Sequence, residues 1–100
     1  MKISTWNVNS INARINHLEK FILKDQSDIY LLQELKTIEE GFPKDIIKKL
    51  GYFSYVNGQK AWNGVAILSK TELEITNTSI PKFEDPNSRI IETEIKLKKI

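Results

Sequence analysis

The sequence has no cysteine. Disulfide staples are therefore excluded, and so is any metal site built on thiolates. No apolar run approaches the length needed to span a bilayer, and no charged-then-apolar leader opens the chain. A cytoplasmic protein is the simplest expectation. Glycine and proline are scarce, at 4 and 3 residues, and no linker, internal repeat or low-complexity segment stands out. Neither sign of charge dominates. The 15 Lys and Arg against 13 Asp and Glu leave a formal net charge of +2. That mild excess permits a polyanionic partner without demanding one.

What is present is ordinary for a globular domain. The chain has 100 residues, 40% of them hydrophobic and 28% charged, enough for one small domain with a modest core. Ile3 to Val8 reads as a first strand. Ile11, Ile15, Leu18 and Ile22 then fall at helical spacing, with Phe21 beside them and polar residues on the other faces. Asp25-Gln26-Ser27 ends that helix. Ile29 to Leu32 is a short apolar run bounded by polar residues, a buried strand. Pro43 to Gly51 is a short helix with proline near its start and glycine just past its end. Strands follow at Tyr52 to Val56 and Gly64 to Ser69, separated by the turn signal Asn57-Gly58 and an irregular stretch. Glu72 to Ser79 reads as another strand, with Leu73 and Ile75 on one face. Ile80 to Ser88 reads as a loop. From Arg89 to Leu97 the pattern alternates: Ile91, Thr93, Ile95 and Leu97 face one way, and Glu92, Glu94 and Lys96 the other. Helical patterns lie early and strands late, which predicts an α/β layer with a mixed sheet.

One chemical juxtaposition follows from that order. Strand, helix, strand predicts a parallel pair with a right-handed crossover. Both strands end in oxygen-bearing side chains, Asn7 on the first and Glu34 on the second. They should emerge at the same edge of one sheet, where open α/β sheets bind ligands. A carboxylate and a neutral amide oxygen suit Mg²⁺ chemistry. A strand that simply ends in polar residues is the competing reading of each stretch alone.

Four segments stand in matching order: Trp6 to Arg14, Leu32 to Lys36, Gly58 to Lys70, and Arg89 to Ile91. With them the chain, from Met1 to about Leu97, resembles the N-terminal part of the exodeoxyribonuclease III and abasic-site endonuclease family, within the endonuclease/exonuclease/phosphatase superfamily. The resemblance implies one mixed-sheet layer with helices on one face, half of a four-layer α/β sandwich. Residues 1–100 would form the N-terminal half of that domain. It also implies a Mg²⁺-dependent nuclease, Mn²⁺ being an alternative ion, that cleaves double-stranded DNA at abasic sites and 3′ ends during base excision repair. Asn7 and Glu34 correspond to the family's catalytic, metal-site positions. Arg14, Lys36, Gln59, Lys60, Asn63 and Arg89 fall near its DNA-facing rim, where arginine can grip phosphate bidentately and lysine acts as a point charge.

The departures matter too. Ser10 stands where a glycine is usual. Trp62 stands where tyrosine is common, and reads as a half-buried core aromatic before it reads as a stacking platform. The family's later catalytic groups, a tyrosine, an Asp-x-Asn pair and an Asp-His pair, have no counterpart here. His17 lies off the apolar stripe and reads as a solvated surface residue. The chain is therefore expected to be inert alone. Its uncovered apolar sheet face is expected to meet the missing half or a second copy. The competing functions are a superfamily phosphoesterase acting on small phosphate esters, and a non-catalytic module that binds DNA or a partner.

Overall fold

The computed structural model describes residues 1–78 and 87–95. Pro81 and Pro86 of the expected loop, and Lys96 and Leu97 at the end of the expected last strand, lie outside the described residues.

Strand β1 (Ile3–Asn7) leads into helix α1 (Ile11–Asp25), which returns the chain to strand β2 (Ile29–Gln33). The predicted helical stripe does the packing: Ile11, Leu18 and Ile22 are fully buried. Ser10 caps the helix, its Oγ accepting from the Ala13 N–H at 3.4 Å. At the other end Gln26 turns left-handed, φ 53, and its N–H closes on the Ile22 carbonyl. That is the usual way for a helix to stop. A short turn at Glu39–Gly41 precedes helix α2 (Lys44–Lys49), then strands β3 (Phe53–Asn57) and β4 (Val65–Ser69). Pro43 sits at the start of α2, and Gly51 follows its end at φ 95.

The sheet is four-stranded, in the order β1-β2-β4-β3. β1 and β2 run parallel, while β4 is antiparallel to both its neighbours. This is the expected α/β layer with a mixed sheet. The helices cover one face. Ile11, Leu18, Ile22 and Ile47 pack there against Tyr30, Leu32, Ala66 and Leu68 of the strands. Each buried Ile or Leu among them contributes about 1.5–3 kcal/mol by leaving water. On the opposite face a smaller cluster gathers Ile29, Ile67 and Leu73 with Tyr55, Ile91 and Ile95. That face is only partly covered: Ile3, Leu31 and Phe53 remain 57%, 36% and 49% exposed.

Within the described residues the C-terminal strands are shorter than their patterns suggest. Among those residues the Glu72 to Ser79 segment gives β5 (Glu74–Asn77), and the Arg89 to Leu97 segment gives β6 (Glu92–Glu94). They form a separate two-stranded sheet whose register shifts between Ile75 and Asn77. Leu73 and Ile75 do not share a buried face. Leu73 precedes the strand and is held by its N–H on the Tyr55 hydroxyl at 2.6 Å, whereas Ile75 is exposed. The tether to β3 ends the ladder earlier than hydrophobic alternation alone would. The alternation of Ile91, Thr93 and Ile95 against exposed Glu92 and Glu94 is as predicted.

Candidate active site

Strand register gathers the expected site residues at one edge. Asn7 pairs with Gln33, Gln33 with Val65, and Val65 with Asn57. The turns that follow β1, β2 and β3 therefore all leave the sheet on the same side. Arg14 lies on the first turns of α1, and Lys36 just past β2. Gln59, Lys60 and Asn63 lie between β3 and β4. Residues 87–89 are drawn to the same edge, with the Gly64 N–H on the Ser88 carbonyl at 2.7 Å and the Ser88 hydroxyl on the Gly58 carbonyl at 2.9 Å. Every candidate residue named from the sequence sits on one of these segments.

The backbone of this rim is unusual. Asn9, Ser10, Glu34, Lys36, Ala61 and Asn63 all take positive φ, at 44, 80, 54, 56, 63 and 50°. Each non-glycine residue held so costs about 1–3 kcal/mol, and such residues collect at functional sites. Main-chain hydrogen bonds hold them. Ser10 and Ile11 donate to the Glu34 and Leu35 carbonyls at 2.9 and 3.0 Å. Leu35 and Lys36 donate to Gly64 and Asn63 at 3.1 and 2.8 Å. The pattern has a purpose that can be read residue by residue. Left-handed turns at Glu34 and Lys36 flank Leu35, which is fully buried. Leu35 anchors the turn while both charged side chains project from it. Gly64 lets the anchor fit, since a Cβ there would lie 3.0 Å from that of Leu35.

A chain of side-chain hydrogen bonds runs along the rim. The Asn7 amide nitrogen donates to Glu34 Oε2. Asn7 Oδ1 accepts the Asn9 N–H at 3.1 Å, and Asn9 Oδ1 accepts Lys36 Nζ at 2.5 Å. Asn7 and Glu34 thus meet as the sequence predicts. Asn7 presents nitrogen, not oxygen, to the carboxylate, which is the geometry of an orienting partner. Glu34 is half-exposed and offers hard oxygens that fit Mg²⁺ or Mn²⁺. Mg²⁺ commonly takes one or two carboxylates and keeps waters for the rest of its shell. Among the described residues no group of three or more His, Asp or Glu stands ready to enclose a metal.

The remaining candidates divide. Gln59 is occupied within the protein: its amide donates to Asn87 Oδ1 at 3.2 Å and accepts from the Ser88 N–H and Asn63 Nδ2 at 2.9 and 3.3 Å. Gln59 and Asn63 thereby fasten the 87–89 segment to the rim. Lys60 and Arg89 are exposed, and Arg14 is half-exposed. Trp62 departs from its half-buried reading and stands 69% exposed. Its place between two left-handed residues lifts it off the sheet, and only the lack of alternation around it hinted at that. Asn9 carries a role that its sequence position did not advertise. His17 is exposed on α1, as expected. No helix among the described residues is long and apolar enough to cross a membrane.

Comparison with known proteins agrees with this geometry. The model of the Endonuclease/Exonuclease/phosphatase family matches residues 4–99. Exodeoxyribonuclease III of Haemophilus influenzae is 41% identical over 92 residues, covering 91% of this chain and 34% of the relative. A 3′ phosphatase from Neisseria, solved with product DNA hairpin, superimposes with a TM-score of 0.90 at 36% identity, over 95% of this chain and 37% of that one. An AP endonuclease from Archaeoglobus fulgidus gives 0.85 at 35% identity, over 95% and 37%. The chain spans about a third of the length of the curated relatives it matches.

Proposed function

The chain belongs to the Endonuclease/Exonuclease/phosphatase family, and from that premise we propose that it supplies the Glu34 side of the active site of a DNA repair nuclease. The proposed reaction is hydrolysis of phosphodiesters in double-stranded DNA at abasic sites and 3′ ends. The observation that carries this reading is the Asn7–Glu34 hydrogen bond at the ends of two parallel strands. The names of the relatives, an exodeoxyribonuclease III and an AP endonuclease, support it.

In this reading Glu34 holds Mg²⁺, or Mn²⁺ in its place, and Asn7 fixes the carboxylate's rotamer. A divalent ion bound there would polarise the scissile phosphate and stabilise the leaving oxygen. Lys36, Lys60, Arg89 and Arg14 face the DNA backbone from the rim. Gln59 and Asn63 act one step back, by holding the 87–89 segment beside them. Trp62 offers a ring to an unstacked base or sugar, a contact that tolerates any sequence. The cysteine-free composition suits a reducing compartment, and the cytoplasm is the proposed one.

Residues 1–100 form, in this proposal, the N-terminal portion of the family domain, about a third of the relatives' length. Among the described residues no group of three or more His, Asp or Glu gathers to enclose a metal, so hydrolysis by this chain alone is not expected. The exposed Ile3, Leu31 and Phe53 support pairing of that sheet face with the rest of a family domain or with a second copy. The test takes the purified chain. Mg²⁺ should shift NMR signals of Asn7 and Glu34, and Glu34→Ala should remove the response. The chain should not nick abasic duplex DNA or hydrolyse a phosphate monoester. Nicking that vanishes in Glu34→Ala would mean that this part of the fold suffices. An unshifted spectrum would remove Glu34 as a ligand.

A further inference from the structure

We propose that Lys36 and Asn9 form a lock that sets which way the Asn7 amide faces, and so act as positioning residues for Glu34. The inference deepens the reading of Glu34 as a metal ligand and rests on it.

An asparagine amide can face a carboxylate with its nitrogen or its oxygen. Only the nitrogen attracts. At this rim the choice is made by what holds the oxygen. Asn7 Oδ1 accepts the main-chain N–H of Asn9, two residues on. Asn9 itself turns left-handed, φ 44. Asparagine tolerates this conformation better than most residues but does not require it. The Asn9 side chain is in turn held by the Lys36 ammonium. Lys36 reaches it because the backbone at 36 is also left-handed, φ 56, next to the buried anchor Leu35. The path runs from Lys36 Nζ through Asn9 to Asn7 and ends on Glu34 Oε2.

The lock and simple electrostatics predict opposite results for one substitution. Lys36 is a cation near a proposed cation site. If charge were its whole effect on the metal, Lys36→Met would remove a repulsion and tighten Mg²⁺ binding. If it locks the rim, the same change frees Asn9, lets the Asn7 amide rotate and leaves Glu34 unoriented. Loss of a partner that orients a metal ligand typically weakens binding at least about tenfold.

The experiment uses the whole chain and MgCl₂. In the metal-free protein, the side-chain NH₂ signals of Asn7 should be sharp and slow to exchange. In Lys36→Met they should broaden and exchange faster, with signals of the buried core unmoved. Mg²⁺ binding, followed at Glu34, should weaken about tenfold. Lys36→Arg keeps a donor within reach of Asn9 Oδ1 and should restore both readouts. Asn9→Gly keeps the left-handed turn but removes Oδ1, and should match Lys36→Met. Combining the two changes should add nothing further. An unchanged Asn7 signal in both variants, or tighter Mg²⁺ binding in Lys36→Met, overturns the lock. Absence of any Mg²⁺ response in the unaltered chain would sink the metal reading, while the metal-free amide signals would still decide the lock.

Discussion

The two ends of the sheet are built on opposite terms. At one end the paired row Ile3, Ile29, Ser69 and Phe53 borders a closed polar network. Asp25 accepts from Lys2 Nζ, the Ser27 hydroxyl and the Tyr30 hydroxyl. Tyr52 donates to the Ser27 carbonyl at 2.5 Å. Lys2 N–H closes on Asp28 at 2.8 Å, and Lys70 caps Gln26 at 3.2 Å. Among the described residues, no buried side-chain polar atom there lacks a partner. At the other end Glu34 is half-exposed, its neighbours are held in left-handed backbone, and charged side chains point outward. Both ends bond their polar groups to each other, but one network runs through buried Ser27, Tyr30 and Tyr52, and the other through exposed Asn7 and Asn9 and half-exposed Glu34 and Lys36. Polar residues at a strand end are therefore not a signal in themselves. Burial of the bonded groups separates a staple from a site.

The comparison breaks most visibly at the closed end. Tyr52 is 3% exposed and packs edge-on against Tyr30, with ring centroids 5.4 Å apart. Burial pushes its hydroxyl pKa well above the ordinary tyrosine value, and the neighbouring Tyr30 adds to the effect. Tyr52→Phe keeps the ring and orphans the Ser27 carbonyl. The expected loss is about 1–3 kcal/mol, read from chemical denaturation at pH 7. A loss near zero would mean that Tyr52 holds this end by packing alone.

Acid should loosen the same end. The hydrogen bond from Lys2, then that from Ser27, holds the Asp25 carboxyl well below its ordinary value of 3.8. Asp28 is also lowered, chiefly by the Lys2 main-chain N–H. A folded pKa below the unfolded one gives stability that is present above about pH 4 and lost as pH falls through the folded value. Unfolding midpoints should therefore drop below pH 4, and Asp25→Asn should flatten that drop while lowering stability at pH 7. An acid limb as steep in Asp25→Asn as in the unaltered chain would place the sensitivity elsewhere.

At the open end, replacing an outward-pointing charged side chain should touch binding and leave stability alone. Lys60→Ala should weaken DNA binding equally across sequences and lower the salt slope by about one unit. Its unfolding midpoint should stay put. A change in stability with no change in salt slope would make Lys60 a structural residue and blur the contrast between the ends.

How much of this was legible beforehand follows from the range of each interaction. The convergence of Asn7 and Glu34 was readable because local patterns fix strands, and the strand-helix-strand order fixes their direction. The start of β5 was over-read, since alternation cannot show that the Tyr55 hydroxyl captures the Leu73 N–H across 18 positions. Gln59 and Asn63 were placed near a DNA-facing rim, but their bonds within the protein were not readable. Asn87 and Ser88, the partners of Gln59, lie too far along the chain to leave a local trace, and Asn63 bonds Gln59 in turn. Trp62 looked half-buried because aromatic content says nothing of the left-handed residues on either side of it.

Ser10 is the smallest and sharpest test of the rim's strain. The sequence placed it where the family usually has glycine, and the structure gives it φ 80 and ψ 104, a conformation suited to glycine. Its hydroxyl accepts from Ala13 at a long 3.4 Å, so little capping energy opposes the change. Glycine at a helix cap costs only a few tenths of a kcal/mol relative to serine, whereas relief of the backbone is worth about 1 kcal/mol or more. Ser10→Gly should therefore stabilise the chain by about 0.5–1 kcal/mol, seen as a higher denaturation midpoint. The main-chain bond from residue 10 to the Glu34 carbonyl survives the substitution, so Mg²⁺ shifts at Glu34 should not change. Destabilisation would show that the Ser10 hydroxyl outweighs the strain. A lost Mg²⁺ response would show that the strain itself holds the open edge in shape.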